Sequence, residues 1–122
     1  MPQAQIPAIF SSARRDQRAR RAAVRSGIGW LCESMQDDIA ERLDFMRYEA
    51  KEALLIGHET SNLEALLRSK NANVSCQSSI DEEQPLGSSQ LDLIVSLSRL
   101  DSVNDLPGAL IHARNALAIG GL

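Results

Sequence analysis

The run Ala53-Leu54-Leu55-Ile56, closed by Gly57, constrains this chain more than any other feature of it. Four evenly apolar residues are too few for an amphipathic helix and fit a strand buried on both faces. A second aliphatic run, Leu91 to Leu97, is bounded by turn signals and is the clearest strand of the chain. Between them, Ser61-Asn62-Leu63-Glu64 has the S-x-x-E form of a capping box, in which Ser61 and Glu64 satisfy each other's backbone donors. Leu63, Leu66 and Leu67 then fall on one sheet-facing stripe. Ala72 to Cys76 is a weaker strand candidate, Gln77 to Glu83 is polar with no helical period, and Pro85 to Ser89 reads as a turn.

Upstream, Ile28, Leu31, Met35, Ile39, Leu43 and Met46 recur at steps of three and four, which predicts a packing helix with Asp37, Asp38 and Glu41 turned away. Downstream, Asn104 or Asp105 can cap a helix that takes Pro107 in its first turn, buries Leu106, Leu110, Ala113 and Leu117, and stops at Gly120-Gly121. The order is helix, strand, helix, strand, strand, helix. It predicts an α/β fold with a parallel sheet, in which the Leu91 to Leu97 strand is central and lies beside Ala53 to Ile56.

At 122 residues the chain is one domain at most. Its 43% hydrophobic and 24% charged residues are close to the globular average, which argues against wholesale disorder. No apolar run approaches the ~20 residues of a membrane span, and the start MPQAQIPAIF lacks the pattern of a secretory leader, so a cytoplasmic protein is expected. Cys32 and Cys76 are far apart with no CxxC partner, and His58 and His112 have no ligand spacing around them, so no metal site is expected.

The net charge of -3 hides an asymmetry. Arg14, Arg15, Arg18, Arg20, Arg21 and Arg25 crowd the first segment, while Asp16 is its only acid before Glu33. Aromatic residues at 3% supply little stacking surface, so a solvated helix face or arm is expected rather than a nucleic-acid interface. The same bias resembles an organelle transit peptide, which makes the mitochondrial matrix the alternative location.

One segment is more specific. Ser89-Gln90-Leu91-Asp92-Leu93-Ile94-Val95-Ser96, then Val103 to Leu110, then Asn115-Ala116-Leu117 and Gly120-Gly121-Leu122 resemble the central strand, following loop and helix of class I S-adenosylmethionine-dependent methyltransferases. The branch they match best holds the biotin-pathway malonyl-carrier-protein methyltransferase and the complex I assembly factors. There a strand of the type F/L-D-L-V-x-S leads into V-N-D-L-P-x-A-L and then R-x-x-L-K-P-G-G. The resemblance runs from about Ile9 to Leu122, and Ile9-Phe10 ahead of the arginines is similar to the branch's N-terminal arm.

The resemblance implies a partial Rossmann-like sheet of the methyltransferase type over residues 51-122, preceded by an arginine-rich arm and helix over 1-50. It implies S-adenosylmethionine as cofactor, contacted by Gly57, His58, Glu59, Ser61, Gln77, Glu82 and Ser96. Leu54 to Leu63 falls on the family's L-D-x-G-x-G-x-G loop: Gly57 keeps the first glycine, while Leu55, Glu59 and Ser61 stand where the aspartate and the other glycines belong. Gln77 is the nearest polar substitute for the acid that holds the ribose, and Asp81-Glu82-Glu83 approximates the acidic loop that reads adenine. Lost glycines obstruct close backbone approach, and Glu59 brings negative charge toward the cofactor's carboxylate, so weakened binding is expected. The chain also stops where relatives enter the next strand. A fragment, a truncated product or half of an oligomer is therefore expected, with an exposed strand edge open to a protein partner or to self-association. Enzyme and non-catalytic assembly factor both stay open.

Overall fold

The computed structural model describes residues 5–24, 29–57, 60–77, 86, 90–97 and 100–122. Among them, four helices and three strands follow the chain as α1 (Ser12–Val24), α2 (Trp30–Phe45), β1 (Glu52–Ile56), α3 (Ser61–Ser69), β2 (Asn73–Gln77), β3 (Leu93–Ser96) and α4 (Leu106–Ala116), with a 3-10 turn at Leu100–Ser102. The class is α/β, with an open parallel sheet in the order β2-β1-β3.

β1 is the central strand. Ala53 pairs with Val74 of β2 on one side and Leu93 of β3 on the other, and Ile56 with Gln77 and Ser96. Alternation along β1 divides the core in two, because successive side chains point to opposite faces. Ala53 and Leu55 join Leu93, Val95 and Leu97 under Leu43 of α2 and Leu63 and Leu67 of α3. Leu54 and Ile56 join Val103 and Ala109 on the other face, which α4 covers. Leu55 and Ile56 are wholly buried, which explains why the run reads as continuously apolar.

Three expectations are corrected here. The Leu91 to Leu97 strand pairs with β1 but is not central: β3 flanks β1, and on its outer side Leu91 bridges to Leu117 while Leu122 donates to the Asp92 carbonyl and accepts from the Ile94 amide, both at 2.9 Å. The face of α4 is also different. Ala109 and Ala116 are buried while Leu106 and Leu110 are exposed, so the helix turns its small side chains to the sheet. On α2, Leu31 and Met46 are exposed, whereas Gln36 is 1% exposed beside Leu43. Ile28 and most of the expected turn at Pro85 to Ser89 lie outside the described residues.

Asp92 organises the amino-terminal end of the sheet. Its carboxylate accepts the Lys51 and Glu52 amides at 3.0 and 3.1 Å, and the Tyr48 hydroxyl donates to its carbonyl. Burial, then the Asp92 charge, pushes the Tyr48 phenol above its ordinary value.

Candidate functional site

The chain runs from β1 through α3 to β2, then crosses to the other side of β1 to form β3. The strand order therefore reverses between β1 and β3. In open parallel sheets, ligands bind at such a point, outside the carboxyl ends of the strands.

Gly57 sits there. Its amide donates to the Gln77 carbonyl at 2.8 Å, and the Leu97 amide donates to the Ile56 carbonyl at 2.9 Å, so Gly57, Gln77, Ser96 and Leu97 share one end of the sheet. At φ +138° the backbone of Gly57 disfavours any side chain, and an added Cβ would lie 3.0 Å from the Leu97 carbonyl oxygen. The Ser96 hydroxyl is buried on this rung with no hydrogen-bond partner among the described residues. Buried polar atoms are rarely left so, and a water or a ligand's polar atom would satisfy it.

The next turn opens α3, where Thr60 is the cap residue. The capping box expected from Ser61 and Glu64 is not formed: no side-chain cap bond is made, and Glu64 instead pairs with Arg68 at 3.0 Å. Its work is done by Gln36, whose Oε1 accepts the Leu63 amide at 3.0 Å while Nε2 donates to the Cys32 carbonyl at 3.3 Å. A buried neutral amide from α2 thus occupies the first turn of α3, where backbone donors and the helix dipole would otherwise face an anion. Cys76, opposite on β2, has its thiol pushed up by burial and by Glu64, which accepts its hydrogen bond and adds negative charge; Arg68 and Thr60 act the other way.

On the α4 side, Asp105 caps the helix by accepting the Gly108 amide at 3.0 Å. A Cβ on Gly108 would fall 2.1 Å from that carboxylate, so the cap requires glycine there. Asn104 reaches back across the chain: its Oδ1 accepts the Phe10 amide at 2.6 Å and its Nδ2 donates to the Phe10 carbonyl at 3.0 Å. The N-terminal arm is thereby tied to the loop that enters α4.

Of the residues expected at a site, Gly57, Gln77 and Ser96 are brought together, and Ser61 is exposed in the first turn of α3. His58, Glu59 and Glu82 lie outside the described residues. Gln36, Thr60 and the Asn104 clamp were missed. The signal for Gln36 was a polar residue on the apolar stripe between Met35 and Ile39; for Asn104, paired to Phe10 across 94 positions, there was none.

No protein-family model matches the chain, and neither a curated protein nor a solved structure matches it. No helix among the described residues is long and apolar enough to cross a membrane.

Proposed function

We propose that the chain is a Rossmann-like methyltransferase module that takes S-adenosylmethionine at the carboxyl end of its sheet, with an affinity lowered by Glu59 and Ser61. The observation that carries this is the meeting of Gly57 and Ser96 where the strand order reverses, with Gln77 of β2 at the same end of the sheet. Gly57 lets backbone meet ligand without a side chain between, the exposed Gln77 amide suits ribose hydroxyls, and the Ser96 hydroxyl has a hydrogen bond to give. Methyl transfer from a sulfonium depends on orientation and desolvation more than on acid-base groups, so no catalytic dyad is required. The acceptor is left unassigned. The reading carries a cytoplasmic location with it, the mitochondrial matrix being the alternative.

Thermal melting tests it. A ligand that binds only the folded chain adds ~2.7 kcal/mol at a hundredfold excess over Kd. The wild type should respond at millimolar cofactor, and Glu59→Gly with Ser61→Gly should respond at lower concentration. No response from either protein overturns the proposal.

A second reading has one observation in its favour. Gln36 already satisfies the Leu63 amide, so the first turn of α3 is less available to a cofactor carboxylate. Under it the chain is a non-catalytic member of the same fold, acting as an assembly or interaction factor, and neither protein responds to cofactor.

A further inference from the structure

The first two helices carry opposite charges on exposed, equally spaced stripes. On α1, Arg14, Arg18 and Arg21 are all exposed and fall at steps of four and three, on one face. On α2, Glu33, Asp37, Glu41 and Asp44 are exposed at steps of four, four and three, along the flank of the helix beside the buried Gln36 and Leu43. One such step is ~6 Å along a helix axis, so an arginine stripe laid along the acidic one meets a carboxylate at each turn. Like charges at this spacing repel, which destabilises each helix alone and favours a counter-charged neighbour.

Such a neighbour can come from a second copy. Within the chain α2 packs on α3. The Asn104 clamp ties the start of α1 to the loop entering α4, and α4 covers the sheet face opposite α2. Two large aromatics complete the acidic stripe: Trp30 and Phe45, at its two ends, are 79% and 89% exposed. Arginine stacks on such rings, so a basic helix would cover them as well. A lipid surface fits α1 poorly, since it has no large apolar side chain apart from Val24.

We infer that this chain self-associates, the arginine stripe of α1 in one copy lying on the acidic, aromatic-ended stripe of α2 in a second. Sedimentation of the full chain tests this in ~0.01 M and ~1 M salt, where the screening length is about 30 Å and about 3 Å. Self-association is expected at low salt and should weaken at least ~tenfold at high salt. Trp30 is the only tryptophan, so its emission should shift to the blue as copies associate. The triple substitution Arg14→Glu, Arg18→Glu, Arg21→Glu should leave a folded monomer, as should Glu33→Arg, Asp37→Arg, Glu41→Arg. An equimolar mixture of the two should associate again, because each then offers the stripe the other lacks. A monomeric wild type at low salt overturns the inference. So does a mixture that stays monomeric, including the case in which α1 instead retains nuclease-sensitive nucleic acid.

Discussion

Gln36 shows what one buried amide can decide. It is a polar residue inside the apolar contact between α2 and α3, and it persists there because both ends of its side chain are hydrogen-bonded to backbone. Gln36→Leu keeps the volume and removes the acceptor, leaving the Leu63 amide buried without a partner. The expected cost is ~1–3 kcal/mol, read from the midpoint of urea unfolding. Ser61→Ala should change that midpoint by no more than ~0.5 kcal/mol, since Ser61 is exposed and makes no cap bond. A larger loss at Ser61 than at Gln36 would show that the capping box forms after all. Gly57 belongs to the same scale: two constraints, a positive φ and the nearby Leu97 carbonyl, exclude every other residue from the one position where β1 gives way to the site.

Among the elements, α4 separates what pattern can tell from what it cannot. Its presence, its Asp105 cap and its early Pro107 follow from local chemistry and are legible in sequence. Its rotation is not, because Leu106 and Leu110 form as good a helical stripe as Ala109 and Ala116, and the choice between them depends on how closely the helix approaches β1. Ala109→Leu should therefore overpack the contact with Leu54 and Ile56 and cost ~1–3 kcal/mol, while Leu110→Gln should cost no more than ~0.5 kcal/mol. Chemical denaturation of the two variants checks the rotation, and the opposite ranking refutes it. β1 was legible for the converse reason: a strand covered on both faces has no alternative side to present, so Leu54, Leu55 and Ile56 admit one reading. β3 was legible as a strand and as the neighbour of β1, with which it pairs across 40 residues, but not in its edge position, because β1 is the strand that takes the centre. The first turn of α3 was misread for the same reason, its true cap being 27 residues upstream.

At the scale of the molecule, the arm and the sheet are joined by the two hydrogen bonds between Phe10 and Asn104. Two such bonds contribute ~1–3 kcal/mol net, whereas closing a loop of 94 residues costs roughly 4 kcal/mol. The clamp therefore cannot form ahead of the sheet. Once the sheet exists, only the short stretch from Phe10 to α2 needs ordering, and the balance turns favourable. Asn104→Ala should release the arm without unfolding the rest, so brief trypsin treatment should cut at Arg14 to Arg21 several times faster than in the wild type while the fragment from α2 onward survives. Equal rates would show that the arm is held by something else. Synthesis gives this ordering a clock. At ~5–20 residues per second, Phe10 is made roughly 5–20 s before Asn104, so the arginine-rich segment, once outside the ribosome, waits unsheltered from proteases and from polyanions for a residue that has not yet been translated.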